Sequence, residues 1–180
     1  MEASGRREQK QKKITKVKTY IVPFALEDVK ENIFYSTNTS TKTSKEELIK
    51  QAFQLHSKGN ISEAAKYYKE FINQGFIDHR VFCNYGVILN DLGKLKDAEL
   101  SYRKAIEIKP DFADSHFNLG VLLREFDKLK DAEISYRTAI EIKPDFAVAY
   151  SNLGNILRDL GKLKDAEISI NKAIKLTPDL

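Results

Sequence analysis

Few side chains in this sequence are suited to catalysis or metal binding. The three histidines are His56, His79 and His116, and none has a second His or Cys at the spacing of a metal site. The single cysteine, Cys83, lacks the sequence signature of an activated nucleophile and is better explained as a small buried apolar residue. The glycines form no phosphate-binding loop. We therefore expect no catalytic residue, no metal and no cofactor.

Asparagine is the polar residue whose spacing points to binding. Asn84, Asn118 and Asn152 follow one another at intervals of 34 residues. An amide offers a donor and an acceptor, so a row of amides on one surface could hydrogen-bond the backbone of an extended peptide. The alternative is that duplication of the sequence copied a tolerated residue. The spacing leaves both interpretations open.

The residues that would position these amides recur at the same interval of 34 residues. Residues 79–112 and 113–146 share 21 of 34 positions. The conserved spacing includes small and helix-breaking residues, namely Gly86, Gly120 and Gly154, Ala98, Ala132 and Ala166, and Pro110, Pro144 and Pro178. A repeat of this length predicts one helix–turn–helix per unit.

Apolar residues within a unit recur at helical spacing on two segments. In residues 79–112 one apolar face precedes Gly93 and a second follows it, which predicts two helices joined at that glycine. Pro110 should end the second helix, and we expect Asp111 to cap the next one. Gly86 and Ala98 are small where the two helices must approach closely.

Eight helices and no strands are expected between residues 45 and 180. Their turns should lie near Gly59, Gly93, Asp127–Lys128 and Gly161. Asp127 replaces glycine at its turn, so we expect a positive backbone φ at a residue that rarely adopts one.

These units resemble the tetratricopeptide repeat family. The family pattern has a large residue at position 4, Leu or Tyr at 7, Gly at 8, Ala at 20, an aromatic residue at 24, Ala at 27 and Pro at 32. The third unit has the matching residues in that order: His116, Leu119, Gly120, Ala132, Tyr136, Ala139 and Pro144. The resemblance implies an all-α fold, a right-handed α-solenoid. Its units are 45–78, 79–112, 113–146 and 147–180, of which 45–78 is degenerate, with Ala52 and Phe76 in place of Gly and Pro.

The resemblance also implies that the first helix of each unit lines a concave groove. Positions 2, 6, 9 and 13 of those helices would face it, and the asparagine row resembles that of O-linked N-acetylglucosamine transferases. The candidate peptide-binding residues are Asn84, Asn118, Asn152, Asn155, Arg124 and Arg158. A second family mode grips a C-terminal carboxylate with basic side chains, but this chain has Ile49 and Asp114 at two of the relevant positions. That mode is not expected here.

Residues 1–44 read as a separate segment. A basic, disordered tail is followed by a short amphipathic helix at about 24–35, which could cap the first unit, and by a polar linker. Ser44 and Glu47 form a capping box at the start of the first repeat helix. Residues 1–18 carry seven basic and two acidic side chains, whereas the net charge of the whole chain is only +4. The excess of positive charge therefore lies in the tail, and no basic surface beyond the tail supports nucleic-acid binding.

Composition limits the remaining classes. The 180 residues are 42% hydrophobic and 31% charged, which is typical of a folded protein, and no apolar run reaches the roughly 18 residues of a membrane span. One cysteine excludes disulfide scaffolds and favours a reducing cytoplasm. The resemblance to the tetratricopeptide repeat family implies a bacterial protein.

The function expected from these features is a non-catalytic adaptor that binds a protein or peptide segment in the concave groove. The alternative is that the chain recruits substrates as the N-terminal repeat region, or a paralogue of one, of a glycosyltransferase or sulfotransferase. The C-terminal edge is expected to be covered by a second copy of the chain, by a partner, or by further units of a longer array. The reason is that the last predicted helix keeps a full interior pattern: Leu163, Ala166, Ile168, Ile170, Ala173, Ile174 and Leu176.

Overall fold

The computed structural model describes residues 43–177, and these form an array of antiparallel helix pairs. The helices are α1 (Lys45–Ser57), α2 (Ile61–Asn73), α3 (His79–Asp91), α4 (Leu95–Ile108), α5 (Ala113–Glu125), α6 (Leu129–Ile142), α7 (Ala147–Asp159) and α8 (Leu163–Leu176). Within the described range there is no strand. The all-α solenoid expected from the repeat is confirmed. The segment predicted to be a basic tail and a helix at about 24–35 lies outside the described residues.

The helix ends follow the local chemistry that the sequence indicated, with one exception. The Ser44 hydroxyl accepts a hydrogen bond from the Glu47 backbone N–H at 3.2 Å, which is half of the expected capping box. The prediction that Asp111 caps α5 is wrong, because Phe112 occupies the cap position and no side chain caps that helix. Asp111 lies one residue too early for its carboxylate to reach the amides of the first turn. Asp78, directly before α3, does cap its helix through the Arg80 backbone N–H at 2.9 Å.

The turn inside each unit uses a left-handed residue, as expected. Gly59, Gly93 and Gly161 have φ values of 77°, 72° and 76°, and Asp127 adopts 59° at the equivalent place. After Gly93, the Lys94 backbone N–H donates to the Leu89 carbonyl at 2.8 Å and thereby closes the end of α3.

In the three regular units a glycine lies where the two helices cross and leaves no room for a Cβ, whereas the first unit has Ala52 at the same position. A Cβ at Gly86 would lie 2.6 Å from the Tyr102 ring, and one at Gly120 would lie 2.8 Å from the Tyr136 ring. The sequence analysis attributed the close approach to Gly86 and Ala98. The structure shows instead that the glycine accommodates a fully buried tyrosine, while Ala98 is buried beside it.

Two apolar clusters make up the core. One joins α3 to α8, and the other joins α1 and α2 to Val81 and Ile88 of α3. In the second cluster the Phe76 ring, which stands where the other units have proline, packs against Phe71 with centroids 5.4 Å apart. The degenerate unit therefore keeps a complete core of its own and shares one face of α3 with the rest.

The prediction that Ile168 belongs to the interior face of α8 is wrong. Its side chain is among the most exposed apolar side chains of the described residues. Helical spacing placed it near the interior residues in sequence, but it points away from α7, and its equivalents in α4 and α6 do the same.

Candidate peptide-binding groove

The first helices of the units form the inner layer of the solenoid. α3 contacts α5 and α5 contacts α7, whereas no comparable contact joins α4 to α6 or α6 to α8 in the part of the chain that is described. Helices that approach their equivalents in neighbouring units lie on the inside of a curved stack. The first helices therefore carry the concave surface, and the second helices carry the convex one.

The three asparagines lie at the same register of consecutive inner helices. Asn84 and Asn118 have no exposed surface, and Asn152 keeps only 8% of its surface exposed. The Asn118 side-chain amide donates to the Cys83 sulfur at 3.5 Å across the boundary between units. A ligand can reach Asn84 or Asn118 only after the atoms that now cover them move. The peptide-binding role of this row stays a prediction.

The other three candidates are more accessible. Asn155 and Arg124 are half-buried, and Arg158 is exposed at the end of α7. Exposed carboxylates are the last residues of three inner helices, Asp91 of α3, Glu125 of α5 and Asp159 of α7. Burial and the neighbouring Asp91 raise the pKa of Glu125. The rim of the inner surface therefore carries alternating acidic and basic side chains rather than one sign of charge.

Asp114 brings an acidic group onto the same surface at the start of α5. It is half-buried, and its Oδ1 has no hydrogen-bond partner among the described residues. Burial raises the pKa of its carboxyl, and Lys143 partly offsets that effect. A carboxylate at this position would repel a terminal carboxylate. Ile49, the other residue used in the argument against the carboxylate-gripping mode, is buried.

The residues considered for catalysis are dispersed. Cys83 is fully buried, and burial raises the pKa of its thiol to about 12, so the thiolate needed for nucleophilic attack is not formed near neutral pH. His56 is buried against the Tyr68 hydroxyl, 3.1 Å from Nδ1, and His116 lies on another unit with its Nε2 2.8 Å from the Pro110 carbonyl. Among residues 43–177 no three His, Cys, Asp or Glu side chains are grouped closely enough to hold a metal ion.

No helix within residues 43–177 has the length and apolar character needed to cross a bilayer.

One contact that the sequence analysis missed joins the last two units. The Glu133 carboxylate accepts from Lys162 at 2.7 Å and from Arg137 at 3.0 Å. Burial alone would raise the pKa of Glu133, but these two cations outweigh it and lower the pKa. Lys128, at the equivalent place one unit earlier, lies over the Phe126 ring at 5.2 Å instead. The recurrence of Lys and Glu at these two positions was the available signal.

Family models for tetratricopeptide repeats match three consecutive parts of the sequence. A model described as TPR repeat matches residues 86–125, and two described as tetratricopeptide repeat match residues 113–146 and 147–180. Together they span residues 86–180, more than half of the chain. No curated protein sequence matches the chain significantly.

Solved structures with the same architecture are similar at low sequence identity. MamA is 22% identical with a TM-score of 0.69, and the match covers 74% of this chain and 78% of MamA. MamA from Desulfovibrio magneticus RS-1 is 21% identical with a TM-score of 0.67, covering 76% of this chain and 77% of the other. YrrB, described as a TPR protein with an unusual peptide-binding site, is 21% identical with a TM-score of 0.66, covering 76% and 71%. At these identities the similarity concerns the fold.

Proposed function

This chain belongs to the tetratricopeptide repeat family and is a protein–protein interaction adaptor, and on that premise we propose that it binds an extended peptide segment in its concave groove without catalysing a reaction. We include a cytoplasmic location in the proposal, and its support is that the chain has a single cysteine, Cys83, and therefore no internal disulfide. The alternative, a substrate-recruiting part of a glycosyltransferase or sulfotransferase, gains no support from the family models, all of which describe repeats.

The observation that carries the proposal is the row of amides at one register of three consecutive inner helices. Position 6 of α3, α5 and α7 is asparagine each time, and the accessible side chains of Asn155, Arg124 and Arg158 lie at the C-terminal end of the row. Side-chain amides pair with both groups of a peptide unit, so an extended backbone could pair with the row once the atoms that cover Asn84 and Asn118 move aside. Asn155 and Arg158 offer the first contacts, because they are reached without displacing other atoms.

The test begins with peptides selected from a random library on the purified chain. A selected peptide is labelled, and its affinity is measured by fluorescence anisotropy for the wild type, for the Asn84→Ala, Asn118→Ala, Asn152→Ala variant, and for the Asn155→Ala, Arg124→Ala, Arg158→Ala variant. Each lost hydrogen bond is worth about 0.5–1.5 kcal/mol, so each triple variant should bind about 10-fold or more weakly.

The matched control replaces amides outside the groove. Asn73 and Asn171 are exposed at the end of α2 and on α8, and changing both to alanine should leave affinity unchanged. Circular dichroism melts establish that each variant is folded. Equal binding by the wild type and both triple variants would contradict the proposal and leave duplication as the reason for the asparagine row.

A second candidate interaction is self-association through the outer edge of α8. Leu163 and Ile174 are largely exposed there, whereas the same residue types at the same register of α4 and α6 pack against the core. We propose that a second copy covers this edge. Light scattering at micromolar concentration should detect a dimer that Leu163→Lys with Ile174→Lys abolishes, and a monomer in both proteins would contradict the proposal.

A further inference from the structure

Three buried polar side chains connect the first three helices. His56 of α1 lies with its Nδ1 3.1 Å from the hydroxyl of Tyr68 on α2, and the Asn84 side chain of α3 is a hydrogen-bond partner of the same hydroxyl. Tyr68 and Asn84 have no exposed surface, and His56 keeps only 3% of its surface exposed. We call these three residues the polar link, because they join both helices of the first unit to the second unit.

The polar link accommodates the uncharged form of His56. A neutral imidazole has one ring N–H, whereas an imidazolium has two, and each N–H needs an acceptor when it is buried. The Tyr68 hydroxyl can accept at Nδ1, but Nε2 is buried and has no hydrogen-bond partner among the described residues. Protonation of His56 in place would therefore bury a positive charge together with an unpaired N–H, and both are costly.

The helices around the polar link supply no negative charge to balance a protonated His56. Cys83 and Tyr85 of α3 act on or pack against Tyr68, and burial raises the pKa of all three groups, so they stay uncharged near neutral pH. The charged side chains of α1 after its first residue, and those of α2, are exposed. At the start of α3, Asp78 and Arg80 pair with each other at 3.0 Å, and the exposed Asp91 is its last residue.

The repeat does not require a histidine at this register. The equivalent residues, at successive intervals of 34, are Asn90, Arg124 and Arg158, and neither residue type changes charge near neutral pH. All three keep part of their surface exposed, whereas His56 is buried. Among the four described units, the first therefore differs in placing a side chain that titrates near neutral pH inside the core at this position.

We propose that the polar link is a pH-sensitive latch, and that protonation of His56 in mild acid loosens α1 and α2 from α3. Loosening would also separate Asn84 from Tyr68, one of the groups that cover it at the start of the asparagine row. The latch does not depend on the peptide-binding role proposed for that row.

The direction of the response follows from where the proton binds. Burial lowers the pKa of His56 in the closed array below the ordinary histidine value of 6.5, which applies once α1 and α2 have separated from α3. The open form therefore binds the proton more readily than the closed form. The latch is closed above pH 6.5 and weakens as the pH falls below that value.

The test measures the opening of each helix in the full chain by hydrogen exchange with mass spectrometry, corrected for the intrinsic pH dependence of amide exchange. Uptake of one proton by the open form raises its population by up to about 10-fold between about pH 7.5 and about pH 5.5. We expect an increase of about 3- to 10-fold in α1 and α2 and little change in α5 and α6.

Two substitutions and a matched control assign the response to His56. His56→Gln keeps an amide that can bond the Tyr68 hydroxyl but cannot titrate, and His56→Asn introduces the residue type that the second unit has at this register. Both should abolish the pH response of α1 and α2. His79→Gln is the control, because burial also lowers the pKa of His79 but its ring packs on Phe112, 4.6 Å away, so the response should persist.

A titration of the His56 ring by nuclear magnetic resonance in the wild type is independent of whether the variants fold, and its midpoint should lie below 6.5. Three results would each overturn the proposal. They are a His56 midpoint at or above 6.5, equal opening of α1 and α2 at both pH values in the wild type, and an unchanged pH response in a folded His56→Gln variant.

Discussion

At the scale of single residues, Asp127 holds a backbone conformation that glycine holds in the equivalent turns. The sequence predicts a positive φ at Asp127, and the observed value of 59° confirms it. A side chain in the left-handed region is strained relative to glycine, although Asp tolerates that region better than most residues. We expect Asp127→Gly to raise the free energy of unfolding by a few tenths to about 1 kcal/mol, measured by urea denaturation.

The reverse substitution provides the control for that turn. Gly93→Asp places the same side chain in the same conformation one unit earlier and should lower stability by a similar amount. If Asp127→Gly lowers stability instead, the Asp127 side chain makes a favourable contribution larger than the backbone strain.

Gly120 is the second residue whose identity is dictated by geometry. A methyl group there would lie 2.8 Å from the Tyr136 ring, closer than the two can pack. We expect Gly120→Ala to cost about 1–3 kcal/mol of stability through overpacking, measured by thermal and urea unfolding. Adding Tyr136→Leu to Gly120→Ala should recover part of that loss, and a double-mutant cycle without coupling would contradict the assigned contact.

Asp114 should make the stability depend on pH. Because burial raises the pKa of its carboxyl in the folded state, the charged form costs stability at neutral pH, and that cost disappears as the pH falls below the unfolded value of 3.8. We expect Asp114→Asn to gain on the order of 1 kcal/mol relative to wild type at pH 7, and to lose this advantage near pH 4.

The control for Asp114 is Asp111→Asn, an exposed carboxylate in the preceding turn, which should show no such difference. The Asp114 carboxylate also lies near the positive end of α5, which favours the charged form. If the Asp114→Asn variant is less stable than the wild type at pH 7 and this difference disappears at pH 4, the favourable effect of the helix end on the charged carboxylate outweighs the cost of burial.

At the scale of elements, the contact between α6 and the turn before α8 distinguishes the last boundary between units. Lys162 bridges to the buried Glu133 at 2.7 Å, whereas Lys128 lies over an aromatic ring. Lys162→Met should cost about 0.5–1.5 kcal/mol, since the lysine is half exposed and part of the interaction is screened. Hydrogen exchange should report faster local opening of α7 and α8.

The stability contributed by the pair of Lys162 and Glu133 should also depend on the ionisation of Glu133. The lowered pKa means that the pair contributes stability above the ordinary glutamate value of 4.5 and loses it as the pH falls. Lys128→Met is the matched control and should leave this pH dependence unchanged. Identical exchange in the wild type and Lys162→Met would show that the bridge does not stabilise the boundary.

The elements themselves could be predicted from spacing alone. Helices α3 to α8 and their turns follow from a fixed interval between glycine, alanine and proline. Helices α1 and α2, whose unit has Ala52 and Phe76 instead of Gly and Pro, follow from the helical spacing of apolar residues. The cap at Asp111 was wrong because capping depends on a one-residue register that periodicity does not determine. Ile168 was misplaced because an apolar side chain on the outside cannot be distinguished from the core by residue type.

At the scale of the whole molecule, the two apolar clusters predict an uneven distribution of stability. The α5 and α6 pair is packed on both sides, whereas α1 and α2 belong to the smaller cluster and have one neighbouring unit in the described part of the chain. In a repeat array stability is a sum of unit and boundary contributions. We expect backbone amides of α1 and α2 to exchange before those of α5 and α6, measured by hydrogen exchange with mass spectrometry.

A substitution in the smaller cluster tests whether its packing causes this order of hydrogen exchange. Phe71→Ala removes a buried ring from the smaller cluster and should accelerate exchange in α1 and α2 while leaving α5 and α6 unchanged. Uniform exchange along all eight described helices would show that the array opens as a single cooperative unit.

The candidate site was predictable in position but not in accessibility. The spacing of Asn84, Asn118 and Asn152 placed them at one register of the inner helices, which the structure agrees with. Their burial depends on the atoms that surround them from neighbouring elements, and a single-chain pattern carries no information on those distances. The exposure of Leu100 and Ile134 likewise depends on neighbouring elements, because their spacing in the sequence is that of ordinary helix residues.

The restriction of helix contacts to near neighbours has a mechanical consequence. Every extensive helix–helix contact in the described array joins elements no more than two apart along the chain. A force applied between two partners held at the ends would pass through the unit boundaries in series, because no strut connects distant units. The array would lengthen by opening one boundary at a time and regain its length as each re-closed. An adaptor built in this way is also an extensible tether, whose compliance increases with the number of units it contains.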